Sequence, residues 1–312
     1  DDYRPLYNSV DASLLLFEQV KKYIEYTKDY DFIMNEIYQN LEHIIKNYSI
    51  GIDIDDNNIY LDTDGLIVSG TPYTQNTWMD VKYDGIPATP RNGKPVEINA
   101  MWYNALKVMA ELAEYQKDES KKEKYERMAN KCKKSFREKF YNKSKKCLYD
   151  VLEDGKVRPN QLFALSLSYP VLDVNSKEAK EMFETVTKKL LNKYGLKTLA
   201  KGEENYIDVY EGDSFKRDFS YHQGITWTWL LGLYYNCLKR FATESRTGKK
   251  KYNEQLEEFI QSVTETFSKE INERGCIGSI AEIYDSKRPF EPKGAVAQAW
   301  SVAEVFRIIT RS

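Results

Sequence analysis

Apolar residues recur at spacings of three and four along most of the chain. Ile33, Ile37, Leu41, Ile44 and Tyr48 form one such stripe, and Tyr125, Met128, Cys132, Phe136 and Phe140 another. Met182, Phe183, Val186 and Leu190 make a third, and Tyr252, Leu256, Phe259, Val263 and Phe267 a fourth. Narrow stripes of this kind predict amphipathic helices that bury one face and wet the other. Five further segments, 12–24, 98–112, 162–167, 225–238 and 295–309, are apolar over most of a helical circumference. A helix of that type has to be surrounded by protein. The two kinds alternate along the chain, inner then outer, and the last is inner. This predicts an all-α fold, a double-layered toroid in which each inner helix has an outer one at its back. Self-similarity at a fixed period is absent, which favours a closed ring over a repeat array.

The connections between these helices are of two lengths. Inner-to-outer links are short, near Lys28, Lys117, Pro170 and Glu244, whereas outer-to-inner links span 49–96, 141–159, 194–221 and 272–293. In a ring of parallel inner helices all the long links emerge at one end, which makes that end the candidate active face. The first long link carries strand-like runs at 50–54, 59–61 and 66–68, separated by Asp55-Asp56-Asn57-Asn58 and Asp64-Gly65. These predict a small β-hairpin on the rim. Asp53, Asp55, Asn57 and Asp64 come near the spacing of a calcium loop. Asn58 stands where glycine is expected, however, and Leu61 offers no side-chain ligand, so a turn is favoured and no metal is expected.

Charge and composition narrow the function classes. The 312 residues carry 46 Lys plus Arg against 48 Asp plus Glu, a formal net charge of −2, which argues against a nucleic-acid face built on bulk basicity. The most apolar run, 225–235, is far shorter than the roughly 20 residues of a membrane span, so no membrane association is expected. Cys132, Cys147, Cys237 and Cys276 show neither CxxC spacing nor a nearby histidine, which points away from zinc and from a disulfide framework and toward a reduced, cytoplasmic setting. The chain opens on Asp1 rather than Met, so it is expected to begin inside a longer protein.

Two carboxylates stand out on the predicted rim. Asp80 follows Trp78 in the first long link, and Glu282 lies in the last one within Gly278-Ser279-Ile280-Ala281-Glu282-Ile283-Tyr284-Asp285. An acid that protonates a leaving oxygen and a base that activates water are the minimum equipment for glycoside hydrolysis. Trp78 could desolvate Asp80 and stack on a sugar. A lone carboxylate is more often solvated or a helix cap, so this assignment leans on its neighbours. Arg91 and Glu97 lead into an inner helix that bears Trp102, Asn160 starts the next, and Tyr221 and His222 precede Trp227 at another. Glu97 reads as a functional carboxylate or as an acid favoured at a positive helix end. His222 reads as a donor to a sugar hydroxyl or as a cap, and Trp227 as core or as a ligand platform. His43, on an outer helix, reads as solvated.

At these motifs the sequence resembles the amylo-α-1,6-glucosidase family, the C-terminal glucosidase domain of glycogen debranching enzymes. The resemblance is carried by Tyr7-Asn8-Ser9-Val10-Asp11-Ala12-Ser13-Leu14, Asn76-Thr77-Trp78-Met79-Asp80, Thr89-Pro90-Arg91-Asn92-Gly93-Lys94-Pro95-Val96-Glu97-Ile98-Asn99-Ala100, Arg158-Pro159-Asn160-Gln161, Tyr221-His222-Gln223-Gly224 and Gly294-Ala295-Val296-Ala297-Gln298-Ala299-Trp300-Ser301. It implies one (α/α)6 barrel domain over 1–312 and an inverting hydrolase that releases glucose from α-1,6 stubs of branched, glycogen-like glucans without a cofactor. By that likeness Asp80 matches the general acid and Glu282 the general base. Asp11, Trp78, Arg91, Glu97, Trp102, Asn160, Tyr221, His222 and Trp227 match positions expected to bind the sugar. Thr228 departs from the family's usual proline. About nine helices are legible where six hairpins need twelve, and the family's upstream Gly-Arg-Asp segment is absent. The ring is therefore expected to be open on one side or completed by an upstream segment of the same protein. A non-catalytic glucan-binding fragment and a related glucoamylase- or trehalase-like glucosidase are the alternative readings.

Overall fold

Helix starts follow capping chemistry written in the sequence. Asp118, Ser176 and Asp213 accept hydrogen bonds from the N–H groups of Lys121, Ala179 and Lys216, three residues on in each case. Each acceptor satisfies a donor that the first helical turn would leave unpaired. The computed structural model describes residues 8–54 and 56–311. Tyr7 of the first family-like stretch and Asp55 of the acidic turn lie outside the described residues. Contacts along the backbone divide the chain into two compact units. The first holds residues up to Tyr141 with Val151–Asp154 and Leu167–Leu172, and the second holds Asn142–Asp150, Gly155–Ser166 and the remainder from Asp173.

The first unit opens with α1 (Ala12–Thr27), α2 (Tyr30–Phe32), a π-helical turn at Ile33–Ile37 and α3 (Tyr38–Ile50). Two hairpins follow, β1 (Tyr60–Leu61) with β2 (Ile67–Val68) and β3 (Lys82–Tyr83) with β4 (Ile86–Pro87). Its main helices are α4 (Val96–Tyr115) and α5 (Glu119–Lys139). The expected hairpin is therefore present, its register pairing Tyr60 with Val68. Asp64 within it caps the Leu66 N–H and is paired with Lys94 and Lys139, which fits the turn reading of the acidic stretch. Helix α4 packs against α1, α3 and α5 and is buried on nearly every side, as its all-round apolar sequence predicts. Buried Asn99 on α4 accepts from the Ile67 N–H at 2.7 Å and donates to the Ile67 oxygen at 3.1 Å, which ties the hairpin to the helix. Helix α1 instead buries one face through Leu14, Phe17, Val20 and Ile24 and leaves Leu16 exposed.

The chain passes through β5 (Tyr141–Asn142) and β6 (Cys147–Leu148), a 3-10 turn at Pro159–Leu162, α6 (Phe163–Ser166) and α7 (Lys177–Lys189). Then come β7 (Leu191–Asn192), β8 (Gly195–Lys197), α8 (Ser214–Ser220), β9 (Thr226–Trp227), α9 (Leu230–Glu244), α10 (Lys249–Glu273), β10 (Ile283–Tyr284), β11 (Pro292–Lys293) and α11 (Ala299–Ile309). Three predicted inner helices are shorter than their apolar runs. The run at 225–238 begins as β9 and turns helical only at Leu230, because Ile225-Thr226-Trp227-Thr228 is drawn into a five-stranded antiparallel sheet ordered β11-β10-β9-β8-β7. The run at 295–309 becomes helical at Ala299, and that at 162–167 is one short turn after the 3-10 segment. A short apolar run has no period long enough to separate strand from helix. Helix α11 also leaves Val302, Phe306 and Ile309 exposed, Phe306 at 67%, so it is not covered all round as its sequence predicts.

Candidate functional site

In the first unit, a segment fixed at three points delivers Asp80. The Val10 N–H donates to the Asn76 oxygen at 2.7 Å, and the Asn76 amide donates to the Asn57 oxygen at 3.3 Å. Arg91 Nη1 donates to Thr77 Oγ1 at 3.1 Å. Arg91 in turn holds Glu97 with two parallel hydrogen bonds, Nη1 to Oε1 and Nη2 to Oε2, the latter at 2.7 Å. Arg91 is 4% exposed and Glu97 0%, so the pair is dry and each charge depends on the other. Immediately after Asp80 the chain reverses through Asp84-Gly85, both at positive φ, in the tight β3–β4 hairpin.

Met79 is buried beneath this segment, Trp78 is half-buried, and Asp80 itself is exposed. The Asp80 carboxyl is nevertheless held above the ordinary carboxylate range. Loss of hydration is the main cause, opposed by its own backbone N–H and reinforced by the negative charge of Asp11. Asp11 is half-buried at the entrance of α1, where Ser9 Oγ donates to its Oδ1 at 2.7 Å. Trp102 is fully buried with its ring stacked on Tyr48, centroids 6.1 Å apart. Any role of Glu97 and Trp102 in binding runs through what they hold in place.

In the second unit, Glu282 stands one residue before β10, whose Ile283 pairs with Trp227 of β9. Continued by one residue, that antiparallel register sets Glu282 opposite Thr228, next to Trp227. Both of its carboxylate oxygens are engaged, Oε2 by the Ala295 N–H and Oε1 by Gln298 Nε2, each at 3.1 Å. The Glu282 N–H donates to the Ala295 oxygen at 2.9 Å. Gly294 has φ +70°, and a Cβ there would lie 2.3 Å from Glu282 Oε2. Tyr210 is close enough that the Glu282 charge helps raise its phenol, after the larger effect of burial.

Arg158 locks the neighbouring turn. It donates to the carbonyls of Thr198 and His222 and to Gln223 Oε1, and lies 3.7 Å from Asp150. Asn160 is fully buried and donates to Asp150 Oδ1 at 2.8 Å. Gly224 follows at φ +133°, where a Cβ would meet the Ile207 oxygen at 2.3 Å, so the chain can turn here only as glycine. His222 is 1% exposed and stacks on Trp227 with ring centroids 5.1 Å apart. Tyr221 is half-buried, its ring against Tyr210, His222 and Trp227, and its carbonyl accepts from Trp227 Nε1. His43 is exposed.

The predicted residues thus fall into two clusters, Asp11, Trp78, Asp80, Arg91, Glu97 and Trp102 in the first unit, and Asn160, Tyr221, His222, Trp227 and Glu282 in the second. Sequence reading missed Gln298, Gly294 and Tyr210. The first two lie in a stretch quoted for its family likeness, where a glutamine directly before an apolar helix was the available signal. Among the described residues no group of three or more His, Cys, Asp or Glu is placed to hold a metal ion, and no helix is long and apolar enough to cross a membrane.

Comparison with known proteins bears on this arrangement. Among solved structures, a chain named sialidase superposes with a TM-score of 0.65 at 13% identity, over 96% of this chain and 26% of that one, a likeness of fold alone. Among curated proteins, the glycogen debranching enzyme of Saccharomyces cerevisiae is 25% identical over 249 residues. That match covers 65% of this chain and 16% of the yeast protein's length. The sequence model of one family, amylo-alpha-1,6-glucosidase, matches residues 1–307 and so takes in both carboxylates and every residue placed around them. The chain belongs to the amylo-alpha-1,6-glucosidase family.

Proposed function

We propose that this chain is an inverting glycoside hydrolase that releases glucose from α-1,6-linked stubs on branched glucans, with Asp80 as general acid and Glu282 as general base. The observation that carries the reading is the contrast between the two carboxyl environments. Asp80, though exposed in part, loses hydration and feels the negative charge of Asp11, so it keeps a proton to higher pH than an ordinary aspartate. Glu282 is held in one direction by N–H donors on both oxygens, as a base aimed at a single water needs to be.

In the single-displacement step, Asp80 gives its proton to the glycosidic oxygen as the C1–O bond breaks. Water adds to C1 from the opposite face and passes a proton to Glu282, so glucose leaves with inverted configuration and the glucan regains a 6-hydroxyl. Asp11, Trp78 and Tyr221 keep enough exposure to meet the sugar directly. Arg91, Glu97, Trp102, Asn160, His222 and Trp227 are buried and act by holding those groups in place.

The test is glucose release by the purified chain from a glucosyl-branched dextrin, with Asp80→Asn and Glu282→Gln measured beside it. Release that falls at least about a hundredfold in both variants supports the reading. Tight binding of the dextrin without release indicates a non-catalytic glucan-binding module, and faster release from α-1,4 oligosaccharides indicates a glucoamylase-like specificity.

A further inference from the structure

Gln298 is bound at both ends of its side chain. Its Oε1 accepts from the Ala299 N–H at 3.1 Å, the first amide of α11, and this fixes the amide orientation so that Nε2 faces Glu282 Oε1. Its main chain is anchored too, the Gln298 N–H donating to the Ile280 oxygen two residues before Glu282. Capping a helix requires only an acceptor, which serine or asparagine supplies as well. The donor end of Gln298 is superfluous to the cap and is directed at the carboxylate instead. With the Ala295 N–H on Oε2, the amide leaves the remaining lone pairs of Glu282 to point in one fixed direction.

We infer that Gln298 is a positioning residue for Glu282, aiming the carboxylate at the water it activates and linking its orientation to the start of α11. The inference rests on Glu282 being the base. It predicts that losing the amide disorders the direction of proton abstraction, a step made in the transition state, and leaves sugar binding largely intact.

Two variants separate this from a structural role. Gln298→Glu keeps the length and the acceptor for Ala299 but sets a second carboxylate against Glu282. Gln298→Ser keeps a capping oxygen but cannot reach Glu282. Both are expected to retain the circular dichroism of the parent and to lose at least about tenfold in kcat with KM within about threefold. In Gln298→Glu the acidic limb of the pH–rate profile moves to higher pH, since two neighbouring carboxylates cannot ionise as readily as one. A lower Tm with an unmoved limb and an unchanged kcat overturns the inference, as does a loss confined to KM. Glu282→Gln in the same assay distinguishes the failures. If Glu282→Gln hydrolyses like the parent, or the parent releases no glucose, the base assignment falls and takes this inference with it. If Glu282→Gln is inactive while both Gln298 variants keep rate and limb, only the role of Gln298 is lost.

Discussion

A carboxyl that loses hydration near another negative charge holds its proton to higher pH, and Asp80, although exposed in part, does so, with Asp11 supplying the second charge. As general acid it works only while protonated, so the alkaline limb of the pH–rate profile reports it. Asp11→Asn removes the repulsion and is expected to move that limb to lower pH, as initial rates between pH 5 and 9 would register. The sign for stability is opposite to the usual aspartate case. The folded state binds this proton more tightly than the unfolded chain, so ionising Asp80 at neutral pH costs the fold stability, and the cost vanishes below the unfolded-state value. Asp80→Asn is therefore expected to show a Tm equal to or above the parent's at pH 7, with the gap closing on acidification. Gly294 sets a steric limit on the other carboxylate. Gly294→Ala places a methyl in the space of Glu282 Oε2 at a backbone angle that disfavours alanine, and kcat is expected to fall at least about tenfold through the displaced base. An unchanged kcat would mean that the Glu282 orientation seen here is not the working one.

Loops rather than helices deliver these side chains, and each loop is tied to an element that cannot easily move. Asn99 on α4 holds the β1–β2 hairpin, and Arg91 with Glu97 spans from the loop before α4 to its first turn and reaches Thr77, three residues before Asp80. Removing one partner of a dry ion pair leaves the other buried and uncompensated. Glu97→Leu is expected to cost about 3–5 kcal/mol by urea unfolding and to lower kcat as well, whereas Arg91→Met with Glu97→Leu recovers much of the stability. Equal losses in the single and double variants would show that the pair is not coupled. The sequence made the helices legible where the apolar pattern ran long, as in α4 and α10, because many turns of one period leave little ambiguity. It hid the sheet. Ile225-Thr226-Trp227-Thr228 reads equally as strand or helix, and only its pairing with β8 and β10 decides. Asp84-Gly85, both at positive φ in the β3–β4 hairpin, is a turn signal that the sequence reading missed.

At the scale of the whole chain, the family could be read from stretches dispersed along the sequence, from Asn76–Asp80 to Gly294–Ser301, and the family model matches residues 1–307. The support behind them was less accessible. Arg158 closing the His222–Gln223 turn and Gln298 gripping Glu282 depend on segments more than ten residues apart in sequence, which no local spacing encodes. The all-round apolar pattern of α11 likewise predicts cover that the described residues do not supply, with Phe306 left exposed. Phe306→Ser is accordingly expected to leave the urea midpoint of the isolated chain nearly unchanged, whereas Leu106→Ala inside α4 is expected to cost about 2–5 kcal/mol. The central claim is an inverting hydrolysis by two carboxylates, and proton NMR of the first-formed sugar tests it most directly. The account predicts that a glucosyl-branched dextrin yields β-glucose before mutarotation, and none with Asp80→Asn or Glu282→Gln. Initial α-glucose, or undiminished release by either variant, would contradict it.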